Sequence, residues 1–245
     1  MIQLNLKNKT EFINNFLSPI GKLAENTVLK VTKDKISAIC SSNDGTLIVS
    51  CSYAQSNDVS ETISLNVPDI NKLIKILNCI PVEDTQLQFN NNNIEYQSNE
   101  VGFKYHLLED GIIDPPSVDI NKIKQIDFNF KFSAQYDGIN RLIRGSTFTT
   151  DTDKIYFDTT DSGIIATLTD KQRHNVDSYT QHISDKFTGE KLEKALALNF
   201  ETIRIISSIR FDQLNVLVNP KLNVFLFDIN INNTKINIIS SGYIG

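Results

Sequence analysis

The sequence predicts an α+β chain made of two similar domains, each with two helices packed on antiparallel sheets. Three observations predict it. Val67 to Leu108 reads as one supersecondary unit: a helix, a hairpin and a further strand. A second unit of the same kind begins at Asn199. The length, 245 residues, is what two domains of roughly 100–150 residues each require. The expected division is a first domain over 1–108, a connector over 109–125 and a second domain over 126–245.

Ile2-Gln3-Leu4-Asn5-Leu6 alternates apolar and polar residues and is the first strand. A helix is expected from Lys9, with Asn8 or Thr10 as its cap. Phe12, Ile13, Phe16, Leu17, Ile20 and Leu23 form its apolar stripe. Pro19 lacks an N–H and is expected to kink this helix or end it early. Four strands follow, over Thr27–Val31, Ile36–Cys40, Leu47–Cys51 and Glu61–Val67, with turns at Lys33-Asp34-Lys35 and Asn43-Asp44-Gly45. Then comes a helix from Ile70 to Ile80, capped by Asp69 and stopped by Pro81. Ile70, Leu73, Ile74, Leu77 and Ile80 recur at three- and four-residue steps as one buried stripe; Asn71, Lys72, Lys75 and Asn78 take the other side. Leu87–Phe89 and Ile94–Tyr96 flank a turn, and Val101 to Leu107 alternates as a half-buried strand.

An offset of 129 positions sets Ile74 on Ile203, Lys75 on Arg204, Leu77 on Ile206 and Ile80 on Ile209. Both the stripe and one cation stay in register. Alternation at Leu214, Val216 and Val218, a Pro220-Lys221 turn, and strands over Leu222–Ile229 and Ile236–Ile239 complete the second unit. Two such units in one chain predict a duplicated domain. Upstream, Ile126 to Phe132 alternates as a strand, and Ala134 to Arg144 is a helix with Tyr136, Ile139, Leu142 and Ile143 inward and Asn140, Arg141 and Arg144 outward. Lys154-Ile155 with Asp161-Ser162-Gly163 echoes Lys35-Ile36 with Asn43-Asp44-Gly45. Glu109 to Ser117, with Gly111 and Pro115-Pro116, is an extended connector whose large apolar residues are Ile112 and Ile113. Lys171 to Lys186 reads as a long loop plus an edge strand.

Several classes fall away. No apolar run approaches the ~18 residues of a membrane span, and the first residues lack a signal-peptide layout. Cys40, Cys51 and Cys79 have no CxxC spacing and read as reduced thiols of a cytosolic protein. His106, His174 and His182 are scattered, and no nucleophile–base or carboxylate pair can be defended from spacing. No cofactor, metal or enzyme activity is expected.

The net charge of -5 does not decide against nucleic acid, because phosphate affinity depends on where the cations lie. The helices lean toward Lys, Arg, Asn and Ser on their polar sides, while Asp and Glu gather in turns and connectors. Glu11, Asp137 and Glu201 interrupt that sorting. Solvation alone explains one charged helix face. Four leaning the same way, in an acidic chain, ask for more.

These features resemble the DNA sliding clamps. Ile70 to Asp110 is similar to the second helix and following strands of proliferating cell nuclear antigen, and Ser240 to Gly245 resembles that family's last core strand. Arg141-Leu142-Ile143-Arg144-Gly145-Ser146 looks more like the T-even-type phage clamps. Richness in Asn, Ile and Lys fits an AT-rich genome such as a virus's. The resemblance implies a duplicated DNA-clamp fold forming part of a closed ring, three copies of a two-domain chain, with helices lining the hole. Lys22, Lys72, Lys75, Arg141, Arg144, Arg204 and Arg210 would then face the phosphates of double-stranded DNA, without sequence preference. Val101, Phe103 and Tyr105 on one edge, and Val176 and Tyr179 on another, would form the subunit contact. Ile112, Ile113, Tyr243 and Ile244 would line a partner pocket. The implied partners are a DNA polymerase, a clamp-loader ATPase and further copies of the chain, in the cytoplasm (of a host, if viral), with no membrane. The rival readings are a virion structural protein of two β-rich domains, an enzyme on an unfamiliar β-rich fold, and a clamp serving repair or transcription.

Overall fold

The computed structural model describes residues 2–90, 92–116, 118, 123 and 125–243, without the side chains of Ile2 and Asn90. Its chain divides into two compact units, one of residues 1–42, 49–117 and 230–236, the other of 43–48, 118–229 and 237–245. Each half of the sequence thus lends the other unit a short piece.

The first unit runs β1 (Ile2–Leu6), α1 (9–23), β2 (Thr27–Val31), β3 (Lys35–Ser41), β4 (Leu47–Ala54), β5 (Ile63–Val67), α2 (Ile70–Asn78), β6 (Thr85–Asn90), β7 (Asn93–Gln97) and β8 (Gly102–His106). Its strands order as β1-β6-β7-β8 and β4-β3-β2-β5. The second unit runs β9 (Phe130–Gln135), α3 (Tyr136–Gly145), β10 (Lys154–Thr160), β11 (Gly163–Leu168), β12 (Tyr179–Ser184), β13 (Phe187–Thr188), β14 (Leu196–Asn199), α4 (Glu201–Ser207), β15 (Gln213–Asn219), β16 (Val224–Ile231) and β17 (Thr234–Ser241). Its orders are β9-β15-β16-β17 and β12-β11-β10-β14, the same two arrangements, with β13 added on the outer side of β9. The duplication is therefore topological. The offset of 129 survives in the helix ends, where Cys79 and Ile80 donate to Ile76 and Leu77 just as Ser208 and Ile209 donate to Ile205 and Ile206.

Alternation decides which side of each strand is buried. β3 and β4 bury every second residue, as do β15 and β16. Phe12 stacks on Phe16 at 5.0 Å with Tyr53 edge-on at 5.3 Å, while Phe132, Phe157, Phe225 and Phe227 form a chain of ring contacts in the second unit. Asp69 caps α2 by accepting from the Lys72 N–H at 2.8 Å, and its carbonyl accepts from the Tyr105 hydroxyl at 2.7 Å. Asp69→Ala is expected to cost about 1 kcal/mol in chemical denaturation, because the first-turn donor loses its partner.

Three expectations need correction. Pro19 neither ends nor breaks α1. The six residues Phe12–Leu17 form a π-helical stretch in which the Ser18 N–H reaches back to Ile13, so the ladder steps past the proline's missing donor. Pro19 then sits in the first turn of Ser18–Leu23. The strand expected over 126–132 is shifted: β9 pairs with β15 from Phe130↔Val218 to Gln135↔Gln213, and the Asn219 side chain takes the Asp127 carbonyl at 2.9 Å beyond it. Ala134 accordingly belongs to β9, and α3 starts at Tyr136. Finally, Val176 lies in the loop before β12, whose first residue is Tyr179.

Some sheet edges are covered within the chain and others are bare. Beside β4, the Ala54 N–H donates to Asn233 at 2.7 Å; beside β17, the Ser241 N–H donates to Thr46 at 2.9 Å. β5 and β14 each receive one bond from the chain leaving the last strand of their unit, Leu108 to Asn66 and Tyr243 to Ala197. Among the described residues, the outer sides of β1, β8 and β12 make no backbone–backbone hydrogen bond.

Cys40 and Cys51 are buried and Cys79 is exposed. Burial pushes the Cys40 thiol up to about 12 and raises Cys51 as well, Cys40 adding to the latter. Since the thiolate is the reactive form, Ellman's reagent is expected to titrate one thiol rapidly in the folded protein and the other two only after unfolding. No helix among the described residues is long and apolar enough to cross a membrane.

Candidate nucleic-acid interface

In the first unit the two helices meet at Gly21. The Asn71 side chain donates to the Gly21 carbonyl at 3.3 Å, and a Cβ on Gly21 would stand 3.0 Å from Ile70 and Asn71 side-chain atoms. Lys22 and Lys72, next in the chain to these two residues, flank one close helix–helix contact. α2 buries Ile70, Leu73 and Leu77 and leaves Lys72 and Lys75 exposed. That is the division expected of an amphipathic helix.

In the second unit α3 packs beside α4. The Tyr136 hydroxyl donates to the Ser207 carbonyl at 3.4 Å, and the Tyr136 ring meets Phe211 edge-on at 5.5 Å. α3 buries Ile139 and Leu142 and exposes Arg141 and Arg144; α4 buries Ile203, Ile205 and Ile206 and exposes Arg204. Arg210 is exposed in the segment after α4, off the helix itself. The Arg204 guanidinium lies 5.2 Å from the Phe200 ring centre and 3.2 Å from the Glu201 carboxylate. Exposed pairs of this kind hold together by at most about 1 kcal/mol, so phosphate can compete for the arginine. Among the described residues, Lys22, Lys72, Lys75, Arg141, Arg144 and Arg210 have no carboxylate within 4.0 Å. All seven expected cations are thus exposed, and Lys75 and Arg204 occupy matching positions of the repeat.

Glu11 does not interrupt the polar side of α1. It is 7% exposed and turned inward, accepting from the Asn233 N–H at 3.0 Å and the Thr234 hydroxyl at 3.3 Å. It holds the 230–236 segment in the first unit.

The residues expected at a subunit contact differ in what they offer. Phe103 is half-buried on β8 with its ring 5.9 Å from Tyr96, and Val101 precedes the strand. Tyr105 is buried, its hydroxyl occupied by Asp69, so that position of β8 presents backbone alone to a neighbour. Tyr179 opens β12 with its ring over Gly145, where a Cβ would come within 2.2 Å. Phe148, three residues after Gly145, is 61% exposed. Sequence reasoning missed it, although one phenylalanine inside a Ser-Thr-Phe-Thr-Thr run is a visible signal.

Ile112 is the most exposed of the large apolar side chains among the described residues, at 65%, and Ile113 is half-exposed beside it. The start of the connector is tied to β5 by Asn66, whose side chain donates to Asp110 at 2.7 Å and to the Leu108 carbonyl at 3.4 Å. In the second unit Tyr243 is fixed by its backbone, to Ala197 at 3.0 Å and from the Asn223 side chain at 2.7 Å. The Lys154 amine lies 5.6 Å from its ring centre and 3.3 Å from Asp170. Burial works against the charge on Lys154, but Asp170, with Tyr156 and Asp153 nearby, outweighs it and raises the amine's pKa. Ile244 lies outside the described residues.

Two units that share one topology apart from β13, each with two helices beside two antiparallel sheets, define the fold of the two-domain sliding clamps. Solved structures of proliferating cell nuclear antigen (PCNA) match it end to end. PCNA of A. fulgidus, solved with the C-terminal region of FEN-1, superimposes with a TM-score of 0.80 at 12% identity, over 100% of this chain and 99% of its own. PCNA of Entamoeba histolytica gives 0.77 at 14%, over 99% of both chains. PCNA of Thermococcus kodakaraensis gives 0.75 at 11%, over 99% of this chain and 100% of its own. No family model and no curated protein sequence matches the chain. The likeness is one of fold.

Proposed function

We propose that this protein is a DNA sliding clamp: a ring that encircles duplex DNA and tethers a polymerase to its template. The observation that carries the reading is the recurrence of Lys75 and Arg204, exposed at matching positions of a duplicated clamp fold in a chain of net charge -5. With Lys22, Lys72, Arg141, Arg144 and Arg210 they supply cations for phosphates, which position without reading sequence. Such contacts are individually weak and exchangeable, as a tether that slides requires.

The ring is a homotrimer. β8 of one copy pairs with β12 of the next, a head-to-tail contact that closes. Support comes from the repeat: the edges at β4 and β17 are covered within the chain, and among the described residues their counterparts β12 and β8 are bare. Phe103 and Tyr179 belong to those two strands. Polymerase and other clients dock on Ile112 and Ile113 of the first unit, and a loader ATPase opens the ring. The protein makes and breaks no bond, and works in the cytoplasm.

Topology provides the test. Assembled on a nicked circular plasmid with its loader or a crowding agent, the protein is expected to stay bound through gel filtration and to be lost once the plasmid is linearised. Equal retention on both forms would sink encirclement.

A further inference from the structure

The two units differ at one edge. In the second, β13 closes the outer side of β9: Phe187 pairs with Phe132 and Thr188 with Lys131, and the Phe187 ring stacks on Phe130 at 5.4 Å. Gly189 makes this approach possible. Its φ is +113°, and a Cβ there would stand 2.5 Å from the Asn129 carbonyl oxygen. Leu4 of β1 pairs with Leu87, and Phe132 of β9 pairs with Val216. Leu87 and Val216 are related by the repeat's offset, so Leu4 is the counterpart of Phe132.

Among the described residues, nothing plays the part of β13 beside β1. The loop over 55–62 occupies the corresponding place in the chain but is tied elsewhere. Gln55 N–H donates to Asp34 at 3.0 Å, Asn57 N–H to Lys33 at 2.8 Å, and the Asn57 side chain to Thr32 at 2.7 Å. Asn57 is 4% exposed, so this anchor is part of the packed structure. The loop also contains no glycine to repeat the turn at Gly189.

Among the described residues, β1 has none of the devices that guard free edges, which are lysine, proline, a bulge or a covering segment. Its five residues pair with β6 in unbroken register, and its exposed side chains, Gln3 and Asn5, are neutral amides. By contrast β8 carries Lys104, and β12 meets β11 through a register shift at Ile164/Ile165.

We propose that the outer edge of β1 is a docking site for an extended segment of a partner protein, added to the sheet as a further strand. The molecule itself shows what fits such an edge: a large apolar residue opposite Leu4, then Thr or Ser, then Gly, as in Phe187-Thr188-Gly189. Backbone bonds supply the attraction, and the apolar side chain sets the register. The neutral flank selects an uncharged segment at those positions. The site is independent of ring closure.

The test is a titration of the ¹⁵N-labelled full chain with a synthetic peptide copying residues 183–190. Saturable amide shifts are expected at Gln3, Leu4 and Asn5, with at least tenfold weaker binding for peptides carrying Phe187→Ala or Gly189→Val. Any of three results overturns the proposal: no β1 shift at saturating peptide, shifts confined to β9 because the peptide displaces β13, or β1 shifts that grow with protein concentration alone. The last would make a second copy the occupant.

Discussion

Lys75→Glu, Arg144→Glu and Arg204→Glu combined are expected to abolish retention on circular DNA and stimulation of the polymerase, while the protein stays folded and keeps its oligomeric state. All three side chains are exposed, and substitutions at such sites usually shift stability by no more than about 0.5 kcal/mol. Arg204 adds the loss of its exposed Glu201 contact, worth at most about 1 kcal/mol. The effect on DNA is far larger. Each phosphate contact contributes about 0.9 to the slope of log affinity against log salt, so three lost per subunit flatten the salt dependence by nearly three for every subunit engaged. Reversal also turns attraction into repulsion. The matched control is Lys33→Glu, Lys35→Glu and Lys221→Glu, also exposed and identical in its change of net charge. Placement predicts retention in the control. Equal loss in both proteins would mean that total charge, not a cationic lining, governs binding, and the clamp reading would fail with it.

How far the sequence reveals this architecture depends on the range of the forces involved. The stripe of α2 was readable because Ile70, Leu73 and Leu77 return at helical spacing and Asp69 satisfies a donor three residues on. Those are local facts. The duplication was readable because burial repeats with the topology, so Leu77 and Ile206 face inward for the same reason. What failed was set by distant partners. The π-helical stretch before Pro19 keeps α1 continuous, and no periodicity announces a wider turn. β9 slid from 126–132 to Phe130–Gln135 because its register belongs to β15, some eighty residues away. Glu11 looked like a flaw in a polar face; Asn233 and Thr234, from the other end of the chain, turn it inward. Within the candidate site, helical spacing put the cations of α2, α3 and α4 on exposed faces, and alternation marked β8 as half-buried. It could not say that the Tyr105 hydroxyl is taken by Asp69, since alternation gives the face and not the neighbour.

Phe103→Asp on β8 and Thr180→Asp on β12 are each expected to reduce the proposed trimer to a monomer of 27.6 kDa in light scattering, and their mixture to a dimer. The reason is the asymmetry of a head-to-tail contact. Each chain brings two different edges, and a charge placed on either one faces an uncompensated, partly desolvated environment in the contact. The first variant keeps a sound β12 and the second a sound β8. Mixed, they make one intact junction and no more, so assembly stops at two chains. A contact built from the same surface on both partners gives another pattern, because a damaged patch would weaken every pairing and mixing would restore nothing. Thr180 is exposed and Phe103 half-buried, so folding is checked by the sharpness of thermal unfolding before masses are compared. Wild-type protein is expected at three times the chain mass. If it is a monomer at micromolar concentration, the bare edges of β8 and β12 meet only when a loader brings them together, and the mixing experiment then has to be read on DNA. If the mixed variants form a trimer, those two edges are not where the subunits join.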